Sequence, residues 1–359
     1  MNFEWNKYML TTKIIFDSWI EYILILEKTE KILISYKSSI KIFNIKTLKE
    51  EGEITFTGID KFENIYLLKS GLISICSPKS IFLIELNNDN TYKIFQKIDL
   101  DDKTENENFK HLIELKNNNL CILSTQKIFI YIIDKNNNNY YKNEFTLNED
   151  FFQFELAYNE SCIELIYPEK KIDNRIAVYL PNVSLLSFWD FNEKKKINDT
   201  KNNYCNSYGC KDLFCLMEKG KYLLCACIDG DIHFYSTETC TLVKSLSDYY
   251  WHISVLKISE NQILSGGDYG RIVLYEFNYE HELFKSEESD LTYLTINDTK
   301  KLEKITKIEK PKNIEEKKGI YGHGKCINEI RKFGETIIST SCYEENDRSF
   351  VCFWNKAKK

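Results

Sequence analysis

Arginine is scarce in this chain of 359 residues, which contains only Arg175, Arg271, Arg331 and Arg348. A mechanism that depends on clustered arginines is therefore not expected. The formal net charge is −6 and both signs are interspersed along the chain, whereas a nucleic-acid interface needs a concentrated basic stripe. The composition thus predicts no nucleic-acid partner.

Long apolar runs are missing as well. No stretch approaches the roughly 20 apolar residues that a membrane-spanning helix requires. Glu4, Asn6, Lys7 and Lys13 interrupt the first 16 residues, which therefore lack the apolar centre of a secretory signal. We expect no membrane insertion and a cytoplasmic location, with the nucleus as an alternative, so that the twelve cysteines are predicted to be thiols.

Motifs that carry catalysis or bind metals are also missing. The sequence contains no pair of histidines at zinc-protease spacing and no nucleophile elbow of the Gly-x-Ser-x-Gly type. Cys205, Cys210 and Cys215 lie close together, but they lack the Cys-x2-Cys pair that structural zinc favours. Gly266 and Gly267 lie between two predicted strands and are interpreted as turn residues. We therefore expect no catalytic residue, no metal, no cofactor and no enzymatic activity.

A repeated pair of β-type runs is what the sequence does contain. The seven pairs end at an aromatic or large apolar residue, and these ends are separated by 41, 47, 58, 46, 40 and 79 residues. Most of these intervals are close to the ~40–45 residues of a four-stranded propeller blade. Apolar residues alternate with period two in the runs, and helical periodicity is hard to find. The end residues are Phe43, Ile84, Tyr131, Trp189, Tyr235, Tyr275 and Trp354.

This pattern predicts an all-β fold: a seven-bladed β-propeller of four-stranded antiparallel blades. Six or eight blades, or another all-β repeat fold, remain the alternatives. Only five residues follow Trp354, too few for an outer strand of the last blade, whereas an unassigned apolar run extends from Tyr8 to Phe16. We predict that this N-terminal strand joins the last blade, and that residues 1–359 form a single domain with a charged insertion at 287–318.

The repeats resemble those of the WD40 family. Trp189-Asp190 is a Trp-Asp pair, Gly322-His323 matches the Gly-His opening of a blade, and Asp229 stands six residues before Tyr235. In that family an Asp, a His, a Ser or Thr and the Trp form a buried hydrogen-bond network, although the first three repeats here show almost none of it. The resemblance implies a set of structural repeat residues: Trp189, Asp190, Asp229, Tyr235, His252, Ser265, Tyr275, His323, Ser339 and Trp354.

A candidate binding patch follows from the expected topology. The insertion at 287–318 and the long turn between the second and third strands of the last blade would emerge on the same face of a propeller. Loops on a rigid scaffold commonly carry binding specificity; the alternative is a tolerated insertion without function. The hypothesis places partner binding at Tyr343, Glu344, Glu345, Asp347 and Arg348.

The resemblance to WD40 proteins implies a non-catalytic scaffold or adaptor for protein–protein interaction within a multiprotein complex. Its expected partners are other proteins or peptides. Two alternatives remain: a purely structural subunit buried in a large assembly, and an enzyme built on a propeller.

Overall fold

Strands dominate the structure, which is a computed structural model. A single turn of 3₁₀ helix, Glu27–Thr29, is the one helical element among the residues that it describes. No helix in that part of the chain is long and apolar enough to cross a membrane. The described residues are 8–100, 107–115, 118–124, 128–133, 140–143, 162–166, 175–180, 185–190, 195–201, 214–227, 230–247, 252–267, 272–277, 327–341 and 348–356.

Twenty-seven strands lie in the described part of the chain. The first thirteen are β1 (Tyr8–Phe16), β2 (Ile20–Leu26), β3 (Lys31–Tyr36), β4 (Ser39–Asn44), β5 (Glu50–Thr55), β6 (Asn64–Leu67), β7 (Ile73–Cys76), β8 (Ser80–Leu86), β9 (Tyr92–Asp99), β10 (Phe109–Glu114), β11 (Leu120–Ser124), β12 (Ile128–Ile133) and β13 (Tyr140–Asn143). The others are β14 (Cys162–Ile166), β15 (Arg175–Leu180), β16 (Leu185–Asp190), β17 (Lys195–Lys201), β18 (Phe214–Met217), β19 (Tyr222–Ala226), β20 (Asp231–Ser236), β21 (Leu242–Ser247), β22 (His252–Ser259), β23 (Gln262–Gly267), β24 (Ile272–Glu276), β25 (Ile327–Phe333), β26 (Thr336–Ser341) and β27 (Ser349–Lys356).

These strands form seven sheets, each corresponding to one predicted blade. Six sheets have four strands, and the sixth sheet in chain order, β22-β23-β24, has three described strands. The all-β class and the four-stranded antiparallel blade are confirmed. The prediction was seven four-stranded blades, whereas the structure describes six of them and one sheet of three strands. Residues 278–326, which follow the three-stranded sheet, lie outside the described part of the chain. That range includes the predicted insertion at 287–318.

The last sheet confirms the predicted closure. Its strand order is β1-β27-β26-β25, and β1 pairs antiparallel with β27, with Tyr8 opposite Lys356 and Phe16 opposite Ser349. The register shifts between Leu10 and Thr12, where Thr11 forms a bulge. The N-terminal run therefore supplies the outer strand of the last sheet.

The chain divides into two compact units. One consists of Met1–Trp19, Ile166–Ile172 and Asn202–Lys359, and it contains β1 and the last three sheets. The other consists of Ile20–Leu165 and Asp173–Lys201, and it contains the first four sheets except for the final residue of β14.

Buried apolar side chains join neighbouring sheets within a unit. Every residue of the second strands β7, β11 and β19 is buried, whereas the outermost strand β5 is mostly exposed. Leu33 and Ile42 of the first sheet pack in one cluster with Ile65 and Ile75 of the second. Burying such a side chain contributes about 1.5–3 kcal/mol, so contact between neighbouring sheets is the main source of stability.

Polar bonds tie the first strands of adjoining sheets. The Glu21 carboxylate accepts a hydrogen bond of 2.8 Å from the backbone N–H of Phe62. Ser254 Oγ accepts one of 3.1 Å from the N–H of Ile330. In both pairs a side chain of one sheet satisfies a backbone donor of the next, which fixes how the two sheets align.

The interpretation of Gly266 and Gly267 as turn residues is wrong. Both belong to β23, where Gly267 lies opposite His252 and Gly266 lies between Ser254 and Ile272. A Cβ atom added to Gly266 would stand 2.6 Å from Cγ2 of Ile327 in β25. The glycine is thus explained by the close approach of the next sheet rather than by a turn.

Candidate protein-binding site

Two of the predicted repeat residues are hydrogen-bonded to each other in the last sheet. Trp354 Nε1 donates a hydrogen bond of 2.8 Å to Ser339 Oγ, and both side chains are buried. Ser339 lies opposite Cys352, while Trp354 lies opposite Ile337. The bond therefore crosses diagonally between β26 and β27.

The other repeat residues are distributed over three sheets. Trp189 and Asp190 are buried at the end of β16, and Asp190 lies opposite Arg175. His252 begins β22, but its side chain lies outside the described part of the structure, as do Asp229 and His323. Three further repeat residues are buried within strands: Tyr235, Ser265 and Tyr275.

Arg348 is the one member of the hypothesised binding patch that the structure describes, since Tyr343, Glu344, Glu345 and Asp347 lie outside the described residues. Its Nε stands 3.3 Å from Asp17 Oδ1, and the two side chains are 50% and 87% exposed. Such an exposed ion pair contributes about 1 kcal/mol at most. Its importance is positional, because it places Arg348, which immediately precedes β27, beside the residue that follows β1.

Apolar side chains lie next to this ion pair. Ile15 is 56% exposed and lies opposite Phe350 on β27. Lys13 Nζ stands 3.4 Å from the centre of the Phe350 ring, which is cation–π geometry. We call Lys13, Ile15, Asp17, Arg348 and Phe350 the β1–β27 patch. Beyond it in the sequence, Trp19 is 37% exposed.

Side-chain hydrogen bonds hold β1 in its register. Thr11 Oγ1 donates to the backbone oxygen of Phe353 at 3.0 Å and accepts from Asn355 Nδ2 at 2.7 Å. The hydroxyl of Tyr8 donates to Glu335 Oε2 at 3.3 Å. Burial, together with the nearby Glu335 carboxylate, raises the pKa of Tyr8 to about 12. The patch is thus carried by a strand that is fixed at its bulge and at its start.

Sequence reasoning predicted β1 but missed its exposed residues. The position of Ile15 opposite Phe350 follows from the bulge at Thr11, because a shift of one residue moves every side chain to the other face of a strand. The alternation in the run would have placed Lys13 and Ile15 on one face. It could not have shown which residues of β27 they meet.

The cysteines require one correction. The side chains of Cys76, Cys121, Cys215, Cys225, Cys240 and Cys352 are free thiols. Cys227 is disulfide-bonded, so the prediction of thiols throughout is wrong there. The prediction of thiols followed from the expected cytoplasmic location. Whether two cysteines form a disulfide also depends on the distance between their sulfur atoms. No group of three or more His, Cys, Asp or Glu residues within the described ranges could hold a metal ion.

Comparison with known proteins bears on the fold. No family model matches the chain, and no curated protein matches it in sequence. The β-propeller domain of Cps50 (Swd1) from Myceliophteria thermophila is similar in structure, with a TM-score of 0.60 and 10% sequence identity. The match covers 98% of this chain and 100% of that domain. The chain has a β-propeller fold. In this propeller, the β1–β27 patch lies on the blade that joins the two ends of the chain.

Proposed function

We propose that this propeller is a non-catalytic adaptor that binds protein partners through the β1–β27 patch. The observation that carries the proposal is the exposed Ile15, fixed on a paired strand beside the Arg348–Asp17 ion pair. Single exposed apolar residues are ordinary on protein surfaces. Here the apolar side chain adjoins an aromatic ring, a lysine and an arginine, and aromatic residues and arginine are enriched in interface cores.

The described residues on either side of 342–347 support the same location. Ser341 and Arg348 bracket residues 342–347, which include four members of the hypothesised patch. Ser341 ends β26, which pairs with β27, and Arg348 immediately precedes β27. β27 in turn pairs with β1, which carries Ile15. We therefore extend the proposed binding site from the β1–β27 patch into Tyr343, Glu344, Glu345 and Asp347.

Partner capture with matched variants tests the proposal. The tagged full-length protein would be purified from its native cell, and the captured proteins quantified by mass spectrometry. Ile15→Asp should lower recovery of the specific partners by tenfold or more, since a carboxylate would be desolvated in an apolar contact. Leu242→Asp is the control, because Leu242 is 46% exposed on β21, the outer strand of another sheet.

Two further variants separate the outcomes. Arg348→Ala and replacement of 343–347 by glycine and serine should each reduce the same set of partners. Recovery of that set with all three patch variants would contradict the proposal and place binding elsewhere on the molecule. If Leu242→Asp lost the same partners as the patch variants, the result would favour the alternative of a structural subunit that is enclosed on several sides.

A further inference from the structure

Sulfur and imidazole groups share one face of the fifth sheet. Cys225 is a thiol in β19, and Cys227, which follows the last residue of that strand, is disulfide-bonded. His233 in β20 lies directly opposite Cys225, and Ser245 in β21 lies directly opposite His233. Directly opposed side chains lie on the same face of a sheet, with their Cβ atoms about 4.5–5.5 Å apart. A thiol, a disulfide and a titratable base are therefore neighbours on this face.

Cys227 extends the ladder of β19 by one residue. Its backbone N–H donates a hydrogen bond of 2.8 Å to the backbone oxygen of Asp231, the first residue of β20. Side chains two residues apart in an extended strand share a face, so Cys225 and Cys227 lie on the same side of the sheet. At about 3.3 Å per residue their Cα atoms are roughly 6.6 Å apart, which is inside the ~4.4–6.8 Å that a disulfide spans. A bond between these two sulfur atoms is therefore within reach.

The imidazole of His233 is placed to take up the proton of a thiol. Its Nδ1 lies 2.8 Å from Ser245 Oγ. That flank of the ring faces β21, so the flank that carries Nε2 faces β19 in the order β18-β19-β20-β21. Among the described residues, Nε2 has no hydrogen-bond partner. Burial lowers the pKa of His233, although Asp231 opposes the shift, so the ring is neutral at neutral pH and able to accept a proton.

Burial determines which thiol is able to attack the disulfide. Cys227 is fully buried and Cys225 is 2% exposed, so thiols in solution have no direct access, whereas exchange requires a thiolate in contact with a sulfur of the disulfide. The other described thiols of this sheet lie elsewhere. Cys215 is opposite Leu224 and packs with it on the other face, and Cys240 lies in the turn at the far end of β20. Cys225 is thus the described thiol of this sheet that adjoins the disulfide.

We propose that Cys225 exchanges with the Cys227 disulfide, and that His233 is the base for this step. Cys225 Sγ bonds to Cys227 Sγ, the bond between Cys227 and its present partner breaks, and the partner leaves as a thiolate. The proton of Cys225 passes to His233 Nε2 and then to the leaving sulfur, so no external oxidant or reductant takes part. The partner is a cysteine whose side chain lies outside the described residues, because the other described cysteines are thiols. The exchange converts the end of β19 from a state tied to another part of the chain into one closed on its own strand.

Alkylation of the native full-length protein tests the exchange. Iodoacetamide traps the leaving cysteine irreversibly and so drives the disulfide towards the pairing of Cys225 with Cys227. After digestion with trypsin in the absence of a reductant, the peptide 222–244 should change from a cross-linked pair into a single peptide with an internal disulfide. The change should proceed with time in the natural protein and equally in Cys121→Ala, whose buried thiol lies in the third sheet.

Substitutions of Cys225 decide between exchange and simple opening of the disulfide. Cys225→Ala should keep the original cross-link under the same treatment. Cys225→Ser preserves the size of the side chain and should give the same result, so that lost packing is not mistaken for lost exchange. The proposal is overturned if the cross-link disappears from these variants as fast as from the natural protein. It is also overturned if Cys225 itself becomes alkylated while the cross-link stays intact.

His233→Gln tests the base. Glutamine keeps a hydrogen bond to Ser245 within reach but does not take up a proton. At about pH 7 the exchange should slow by about tenfold or more. The difference should close towards about pH 9, where hydroxide forms the thiolate without help from the imidazole. An unchanged rate at the lower pH, or a deficit of the same size at the higher one, would remove His233 from the step, since a purely structural role does not depend on pH in this way.

Discussion

The buried charges Lys110 and Glu63 show what single residues contribute to the contact between sheets. Lys110 Nζ stands 3.2 Å from Glu63 Oε1, and the side chains are only 5% and 7% exposed. Lys61, which is exposed, stands 3.5 Å from the same oxygen. Lys110 is in β10, and Glu63 immediately precedes β6, so the pair joins the first strands of two adjoining sheets.

Removing one member of this pair should destabilise the protein more than removing both. Lys110→Met leaves the Glu63 carboxylate buried with its main cation gone, which costs about 3–5 kcal/mol. Adding Glu63→Leu should recover most of that loss, since a well-packed apolar pair can replace a buried ion pair. Urea unfolding measures both. Lys46→Met is the control, because Lys46 forms an exposed ion pair with Glu30. It should change the free energy of unfolding by less than about 1 kcal/mol. Equal losses of unfolding free energy in all variants would contradict this account.

We expect His233 to make the free energy of unfolding depend on pH. Its side chain is 2% exposed, and its Nδ1 lies 2.8 Å from Ser245 Oγ. Its Nε2 has no hydrogen-bond partner in the part of the chain that the structure describes. Burial lowers the pKa of His233, and the nearby Asp231 opposes this shift. The folded protein therefore binds a proton at this site less readily than the unfolded chain does.

The sign of the pH effect follows from that difference. An unfolded histidine takes up a proton below about pH 6.5, so acidification from about pH 7.5 to about 5 should lower the free energy of unfolding. His233→Gln should flatten this part of the profile, as measured by urea unfolding at several pH values. An unchanged slope in the variant would assign the pH dependence to other groups.

At the scale of strands, Gly266 determines how closely β23 and β25 approach. The corresponding position in the fifth sheet, opposite Ile232, is Ala226, whereas Gly266 lies opposite Ile272. A methyl group at Gly266 would stand within 2.9 Å of both Ile327 and Ile330. The sixth sheet therefore accommodates β25 at a place where the fifth sheet has a side chain.

Gly266→Ala should lower the free energy of unfolding by about 1–3 kcal/mol, because overpacking forces the neighbouring strand to move. Ala226→Gly is the reciprocal control and should cost about 1–2 kcal/mol, because it adds backbone entropy to the unfolded chain and removes a buried methyl group. Both changes are measured by urea unfolding. A neutral Gly266→Ala variant would mean that β25 can shift without loss of packing.

The strands show how far sequence alone predicts this fold. The apolar run from Tyr8 to Phe16 predicted β1 with the bounds observed, and alternation elsewhere predicted the pairs that form each sheet, because alternation directly reflects burial. A glycine has no side chain to contribute to such a pattern, so Gly266 was taken for a turn residue. Lys110 and Glu63 are 47 residues apart, and only the packing of two sheets brings them together. The candidate site depended likewise on a bulge that no local pattern predicts.

At the scale of the whole molecule, pairing of β1 with β27 joins residues that are more than 300 positions apart. Removal of residues 1–16 would expose the edge of β27, where Val351 and Phe353 are now buried. An open apolar edge of this kind promotes aggregation.

A circular permutant isolates the contribution of closure. New ends would be made between Ser18 and Trp19, and the original ends joined by a short glycine–serine linker, so that β1 follows β27 as the fourth strand of a continuous blade. The pairing of Tyr8 with Lys356 places the start of β1 beside the end of β27, within reach of such a linker, and permutation is tolerated where the joined ends are near each other. The permutant should fold faster than the natural chain, since a distant pairing becomes a local hairpin.

Its free energy of unfolding should stay within about 2 kcal/mol of the natural protein, because a shift of this size is at the scale of ordinary single changes. Stopped-flow folding and urea unfolding measure the two quantities, and the protein lacking residues 1–16 provides the comparison. That truncated protein should be clearly less stable and should aggregate, which light scattering detects. If permutant and truncation lost the same stability, β1 would not be acting as the fourth strand of the last blade, and the register that places Ile15 opposite Phe350 would have to be abandoned.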